Sequence, residues 1–203
     1  MELIHADLHI HTKYSPDAST DPKVLVDRLN AHPTIKAAAI TDHNTVEGYL
    51  KTKELAKSYQ DITIIPGVEI TAIEGEIIIL GTEELPPMPW TIRRITEFAK
   101  KNNAITIAPH PYRGYGLGNL AKTYQIDAIE TLNAITTPKA NKTAETLAKT
   151  MNLPGVAGSD AHEPDELWTV YTEIQASLDV GEILDAIKKG AVRPSWTEKS
   201  IRF

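Results

Sequence analysis

Short apolar runs recur along this chain, most of them separated by segments of helix length. That rhythm limits the possible fold more than any other feature. The runs begin with Leu3, Ile4, Leu8 and Ile10, and continue at Ile35–Thr41, Ile62–Val68, Glu76–Leu80, Ala104–Ala108, Ile126–Leu132 and Leu153–Ala157, with Val170–Ile174 a candidate last strand. Asp21-Pro22 opens a helix carrying Val24, Leu25, Val26 and Leu29, since proline is pre-set for a first helical turn. Asn44 or Thr45 caps a second helix to about Tyr59, with Leu50, Leu55 and Ala56. Further helices are predicted over Trp90–Lys101, Lys139–Met151 and Val180–Lys189, before a short basic tail. Strands alternating with helices predict a parallel sheet with crossover helices, hence the α/β class. About seven such units favour a closed (β/α) barrel over an open sheet. At 203 residues the chain suits a single domain covering 1–203.

In such barrels, functional groups gather at the carboxyl ends of the strands. His9 with His11, His43, Glu69, His110, Asn133, and Asp160 with His162 each follow the apolar run of a different strand. Side chains alternate along a strand, so His9 and His11 share a face, with Asp7 and His5 below them in the same row. Two imidazoles so placed suit one metal ion, and Asp7 is a candidate to orient one ring through its other nitrogen. His5 lies deeper and reads as a hydrogen-bonded core histidine, while His32, before Pro33, reads as a surface residue. Asp42 reads as an orienting or capping group. Asn133 is open to a substrate contact or a contact with metal-bound water. Arg113 follows His110-Pro111 in a glycine-rich loop and is the candidate for phosphate recognition, because guanidinium matches phosphate oxygens in a bidentate way. The glycines at 114, 116 and 118 lack the strand-to-helix context of a dinucleotide fingerprint.

Composition narrows the function. The formal net charge of −6 argues against an extended nucleic-acid surface, so any such contact is local and metal-assisted. The absence of cysteine excludes disulfides and cysteine-rich zinc sites and fits a cytoplasmic location. The first residues lack the basic and apolar regions of a signal peptide, and no apolar stretch approaches the ~20 residues that span a bilayer.

Five segments, DLHIHTKYSPDAS (7–19), ITDHNT (40–45), GVEI (67–70), APHP (108–111) and GSDAH (158–162), together resemble the PHP family, named for its polymerase and histidinol phosphatase members. They stand in the family's order, and the likeness is strongest to small stand-alone members whose PHP region is similar to that of bacterial replicative polymerase α subunits. The resemblance implies a distorted seven-stranded, TIM-like (β/α) barrel holding up to three metal ions, with phosphoester hydrolysis in its catalytic members. Carried over by position, it implies one ion on His9, His11, Glu69 and Asp160, and a second on Asp17, His43 and His162. A third falls on Glu69 and His110, with Glu69 bridging. In many members a further histidine completes that third site; here the aligned position is Ile78, which cannot coordinate, so at most two tight ions are expected.

Imidazole and carboxylate ligands suit two to three divalent ions of zinc, manganese or iron. The chemistry expected is attack on phosphorus by a metal-bound hydroxide, with Glu69, His110 and Arg113 as the catalytic set. The expected substrate is a nucleotide, a nucleic-acid end or a small phosphomonoester. Two other readings stand beside it: a non-catalytic module that binds metal or docks a partner, and a metal-dependent amidohydrolase.

Overall fold

The structure, a computed structural model, describes residues 2–198. Its elements run β1 (Leu3–Ile10), α1 (Pro22–Ala31), β2 (Ile35–Ile40), α2 (Glu47–Ala56), β3 (Thr63–Thr71) and β4 (Glu76–Leu80). They continue with α3 (Ile92–Lys101), β5 (Ile105–Ala108), β6 (Ala128–Asn133), α4 (Pro138–Met151), β7 (Gly155–Gly158), β8 (Val170–Gln175), α5 (Val180–Lys188) and β9 (Val192–Trp196). Capping follows the sequence at α1, where Asp21 accepts a hydrogen bond from the Lys23 backbone N–H and Pro22 occupies the first turn.

One nine-stranded sheet has the order β7-β6-β5-β4-β3-β2-β1-β8-β9. It curls until the residues just beyond β7 meet β1: the Asp160 N–H donates to the His9 carbonyl at 2.8 Å, and the His11 N–H to the Ala161 carbonyl at 2.9 Å. The result is a mixed α/β fold around a nearly closed barrel. β8 pairs antiparallel with the lower half of β1, and β9 with β8.

The fully parallel sheet that the alternation predicts is not what forms. β4 is antiparallel to both β3 and β5. The turn between β3 and β4 is too short for a crossover helix, so β4 returns as a hairpin. β9 also departs from expectation: Val192–Trp196, read as part of a basic tail, is an edge strand on which Arg193 pairs with Glu173 of β8 at 2.8 Å. The rest of that tail, residues 199–203, lies outside the described residues.

The barrel interior is aliphatic. Ala6 and Leu8, Ala37 and Ala39, Ile65, Ile78 and Leu80, Ile105 and Ile107, and Val156 form one buried cluster, closed below by Ile183 and Ile187 of α5. Each such isoleucine or leucine contributes about 1.5–3 kcal/mol on burial. Outside, α3 and α4 cover Ile70, Ile77, Ile79 and Ile129, while α1 and α2 cover Ile10, Ala38 and Ile40. The helix faces are narrower than expected: Val24 and Leu50 are exposed, leaving Leu25, Val26 and Leu29 as the stripe of α1. The packed interior fills the lower barrel, and the imidazoles and carboxylates described next gather at its upper mouth.

Candidate metal centre

The mouth is built first from β1. Ala6 and Leu8 face the aliphatic interior, yet His9 and His11 also turn inward, so the alternation is interrupted. The pairing of β1 with β2 slips between Asp7 and Ile10, which permits this change of side. His5 therefore does not share the row of His9. It is half-buried and stacks on Tyr171 with ring centroids 4.5 Å apart, and its Nδ1 has no hydrogen-bond partner among the described residues.

His9, His11, Glu69 and Asp160 bring four donor atoms together. His9 Nε2 lies 3.0 Å from His11 Nε2, 3.3 Å from Glu69 Oε2 and 3.4 Å from Asp160 Oδ1. His11 Nε2 lies 3.3 Å from Glu69 Oε2 and 3.2 Å from Asp160 Oδ1. Metal–ligand bonds of about 2.0–2.1 Å imply ligand-to-ligand edges of ~3.3 Å in a tetrahedron. The five separations between these imidazoles and carboxylates are close to that edge, and imidazole with carboxylate is a donor chemistry that suits a divalent ion.

Beside it, Asp17 Oδ2 lies 3.5 Å from His43 Nε2 and 3.4 Å from His162 Nε2, and His11 is grouped with the same two imidazoles. On the other side, His110 Nε2 lies 3.1 Å from Glu69 Oε1. A residue not foreseen from sequence joins this third group: Glu76 Oε2 is 3.8 Å from His110 Nε2. Because β4 runs antiparallel, its first residue sits at the mouth, and Ile78, two residues on, points into the aliphatic interior opposite Glu69.

Buried hydrogen bonds hold these groups in place. His9 Nδ1 meets Glu130 Oε1 at 3.0 Å, and the other Glu130 oxygen accepts from the His110 N–H at 2.7 Å and from the Asn133 amide at 3.0 Å. The same amide donates to Asp160 Oδ2 at 3.1 Å, so Asn133 is committed to carboxylates on both sides. The Ser15 hydroxyl lies 3.1 Å from His11 Nδ1, accepts from the His43 N–H at 2.9 Å and donates to Asp42 at 3.1 Å. Asp42 also accepts from the Thr12 N–H and hydroxyl at 2.6 and 2.7 Å. Among the described residues Asp7 hydrogen-bonds no ring nitrogen; it accepts the Ser159 N–H at 2.9 Å and ties β7 to β1. His110 and Asp160 adopt positive φ, +25° and +56°, an uncommon backbone state for non-glycine residues that recurs at functional sites. Glu130 carried a sequence signal: a carboxylate inside an apolar strand run must find a partner once buried.

Charge and burial oppose one another here. Burial would push the His9 and His11 imidazoles down, but carboxylates outweigh it. Asp160, Glu69 and Glu130 hold His9 well above its ordinary value, and Asp160 and Glu69 push His11 up to about 9. The same pairing, against burial, holds Glu69 well below the usual carboxylate range. Burial pushes Asp42 up, and Asp7 up to about 7. His43 is held low, chiefly by burial. The groups open into a cleft of about 460 Å³ lined also by Arg113, Tyr115 and Ile135. Arg113 reaches from its loop to Asp160 Oδ2. No helix among the described residues is long and apolar enough to cross a membrane.

Comparison with known proteins agrees with this architecture. The chain is 36% identical over 141 residues to the uncharacterized protein MJ1587 of Methanocaldococcus jannaschii, covering 64% of this chain and 81% of that protein. Its fold is similar, at a TM-score of 0.78 and 19% identity, to a two-domain protein from Bacteroides vulgatus described as containing a predicted PHP-like metal-dependent phosphoesterase; the match covers 99% of this chain and 68% of that one. It is also similar to an amidohydrolase from Chromobacterium violaceum, solved with sulfate and without metal, at a TM-score of 0.63 and 14% identity over 79% of this chain and 88% of that one. A PHP-associated region matches residues 138–192, and the PHP domain model matches residues 7–152. By that match the chain belongs to the PHP domain family.

Proposed function

We infer that this protein is a metal-dependent phosphoesterase, organised as one PHP-type domain over residues 1–203. Its substrate in this reading is a nucleotide, a nucleic-acid end or a small phosphomonoester. The observation that carries the reading is that Glu69 Oε2 and Asp160 Oδ1 each lie 3.2–3.4 Å from both His9 Nε2 and His11 Nε2, which are 3.0 Å apart. These four would hold one ion and Asp17, His43 and His162 a second, while Glu69 and His110 contribute to a third. Zinc, manganese or iron bound there would supply an activated water and offset charge on the phosphate oxygens.

The chain's own residues set the geometry of the reaction. Glu130 and Ser15 fix the His9 and His11 rings, leaving each Nε2 directed to the shared carboxylates. Arg113 has no acceptor, so it binds a phosphate oxygen without competing for the ions. It stands over the cleft beside Asp160, near enough to hand its charge from that carboxylate to a substrate. The acidic group at the rim, Glu166, disfavours a long polyanion and leaves room for a compact ester. The cysteine-free sequence goes with a cytoplasmic location.

The test is a panel of phosphomonoesters, phosphodiesters, short oligonucleotides and amides, each with zinc, manganese or iron added to chelator-stripped protein. Release of phosphate or nucleotide from at least one ester is expected. Turnover of amides alone would establish an amidohydrolase, and bound metal without any turnover would establish a binding module.

A further inference from the structure

Glu76 stands where the family resemblance leads one to expect no ligand at all. The aligned position, Ile78, is 1% exposed and belongs to the interior cluster, so no rearrangement of side chains brings it to the mouth. β4 nevertheless reaches the cleft with its first residue. Glu76 is paired opposite Thr71 and lies on the same face as Ile78 two residues away. Its backbone is fixed, since its N–H donates to the Tyr115 carbonyl at 2.9 Å. Gly75 makes this possible: a Cβ there would lie 2.6 Å from that same carbonyl oxygen. The Glu76 residue is 8% exposed, and among the described residues its carboxylate accepts no hydrogen bond. Its one ion-pair contact is His110 Nε2, at 3.8 Å, too long for a hydrogen bond. A buried carboxylate without a donor is costly unless a cation completes it.

The geometry points to Glu76 as the third side-chain ligand of a cation site shared with Glu69 and His110, a site richer in oxygen than its two histidine-rich neighbours. One donor atom from each of the three residues lies within 4.8 Å of the others. The bridging is divided by oxygen: Glu69 Oε2 faces His9 and His11, and Oε1 faces His110. Two carboxylates and one imidazole suit manganese or magnesium better than the set around His9 and His11, where two imidazoles join two carboxylates. The cleft then holds ions of unequal preference, zinc or iron at His9 and His11 and a more exchangeable, harder cation at Glu76. This rests on the reading of the cleft as a divalent-ion site.

The experiment is manganese binding to chelator-stripped full-length protein, followed by equilibrium dialysis with metal analysis and by electron paramagnetic resonance. The variant Glu76→Gln keeps shape and removes charge, and its melting curve without metal checks folding. Wild type is expected to bind one manganese ion more per chain than Glu76→Gln, and the spectrum of manganese ions coupled through Glu69 is expected only in wild type. Zinc content at one equivalent is expected to be unchanged between the two. Equal manganese stoichiometry and affinity, within threefold, in both proteins would overturn the role of Glu76 while leaving the phosphoesterase reading intact. Failure of wild type to bind any divalent ion would overturn both.

Discussion

Replacing Gly158 by alanine tests how tightly the barrel seam positions the first metal group. A Cβ added there would lie 2.2 Å from the Cβ of His9 and 2.5 Å from Glu130 Oε1. The first of these is a backbone-anchored atom, not the end of a flexible chain, so β7 and β1 must separate by roughly 1.3–1.8 Å to restore ordinary contact. That movement strains the Asp160-to-His9 hydrogen bond at the seam and shifts His9 from Glu130. Overpacking of this kind costs about 1–3 kcal/mol, which for a chain of this size lowers the melting temperature by roughly 2–12 °C. The effect on metal should be larger, because ligand distances tolerate only about 0.2 Å of error. Thermal denaturation of stripped protein and zinc affinity of the folded variant are the two measurements. A variant that melts within a degree of wild type and binds zinc equally well would refute the claim that the glycine sets this spacing.

Other outcomes follow from the same geometry. Ser15→Ala removes the group that holds His11 Nδ1 and the His43 N–H, and metal affinity should fall about 10–100-fold; an unchanged dissociation constant would return Ser15 to a purely structural role. Arg113→Ala should keep its metal content while kcat/KM falls roughly ten- to a hundred-fold for phosphate substrates; lost metal would mean the loop scaffolds the site instead. Metal uptake should release protons, because the surrounding carboxylates hold the His9 and His11 imidazoles above their ordinary values in the metal-free protein. Their folded-state values are raised, so affinity should climb as pH rises toward about 9 and fall as pH drops. Titration calorimetry in buffers of different ionisation enthalpy reads this directly, and heats independent of buffer would contradict it.

Much of this site is legible in the sequence because a barrel collects strand ends. His9, His11, His43, Glu69, His110 and Asp160 each close an apolar run, and a run's end is visible without coordinates. What stayed hidden depends on register and direction. The change of side between Leu8 and His9 arises from a local slip against β2, which no alternation pattern can show, and it misplaced Asp7 and His5. Glu76 was hidden by the direction of β4: read as one more strand running toward the mouth, its far end mattered, whereas the hairpin brings its first residue there. The edge strand β9 carries Arg193 and Pro194 among few apolar residues, so its composition resembles a tail. Glu130 and Ser15 act through other side chains, and such contacts join positions 121 and 4 residues apart.

The central claim is that carboxylates and imidazoles at this barrel mouth form a metal-dependent site for phosphoester hydrolysis. The most direct measurement is the rate of ester hydrolysis by stripped protein, by the same protein after metal is restored, and by Glu69→Gln treated identically. Glu69 touches His9, His11, His43 and His110, so this single change reaches all three groups. The account predicts hydrolysis only in restored wild type, with Glu69→Gln folded but inactive. Hydrolysis by stripped protein, or by Glu69→Gln at the wild-type rate, would contradict it.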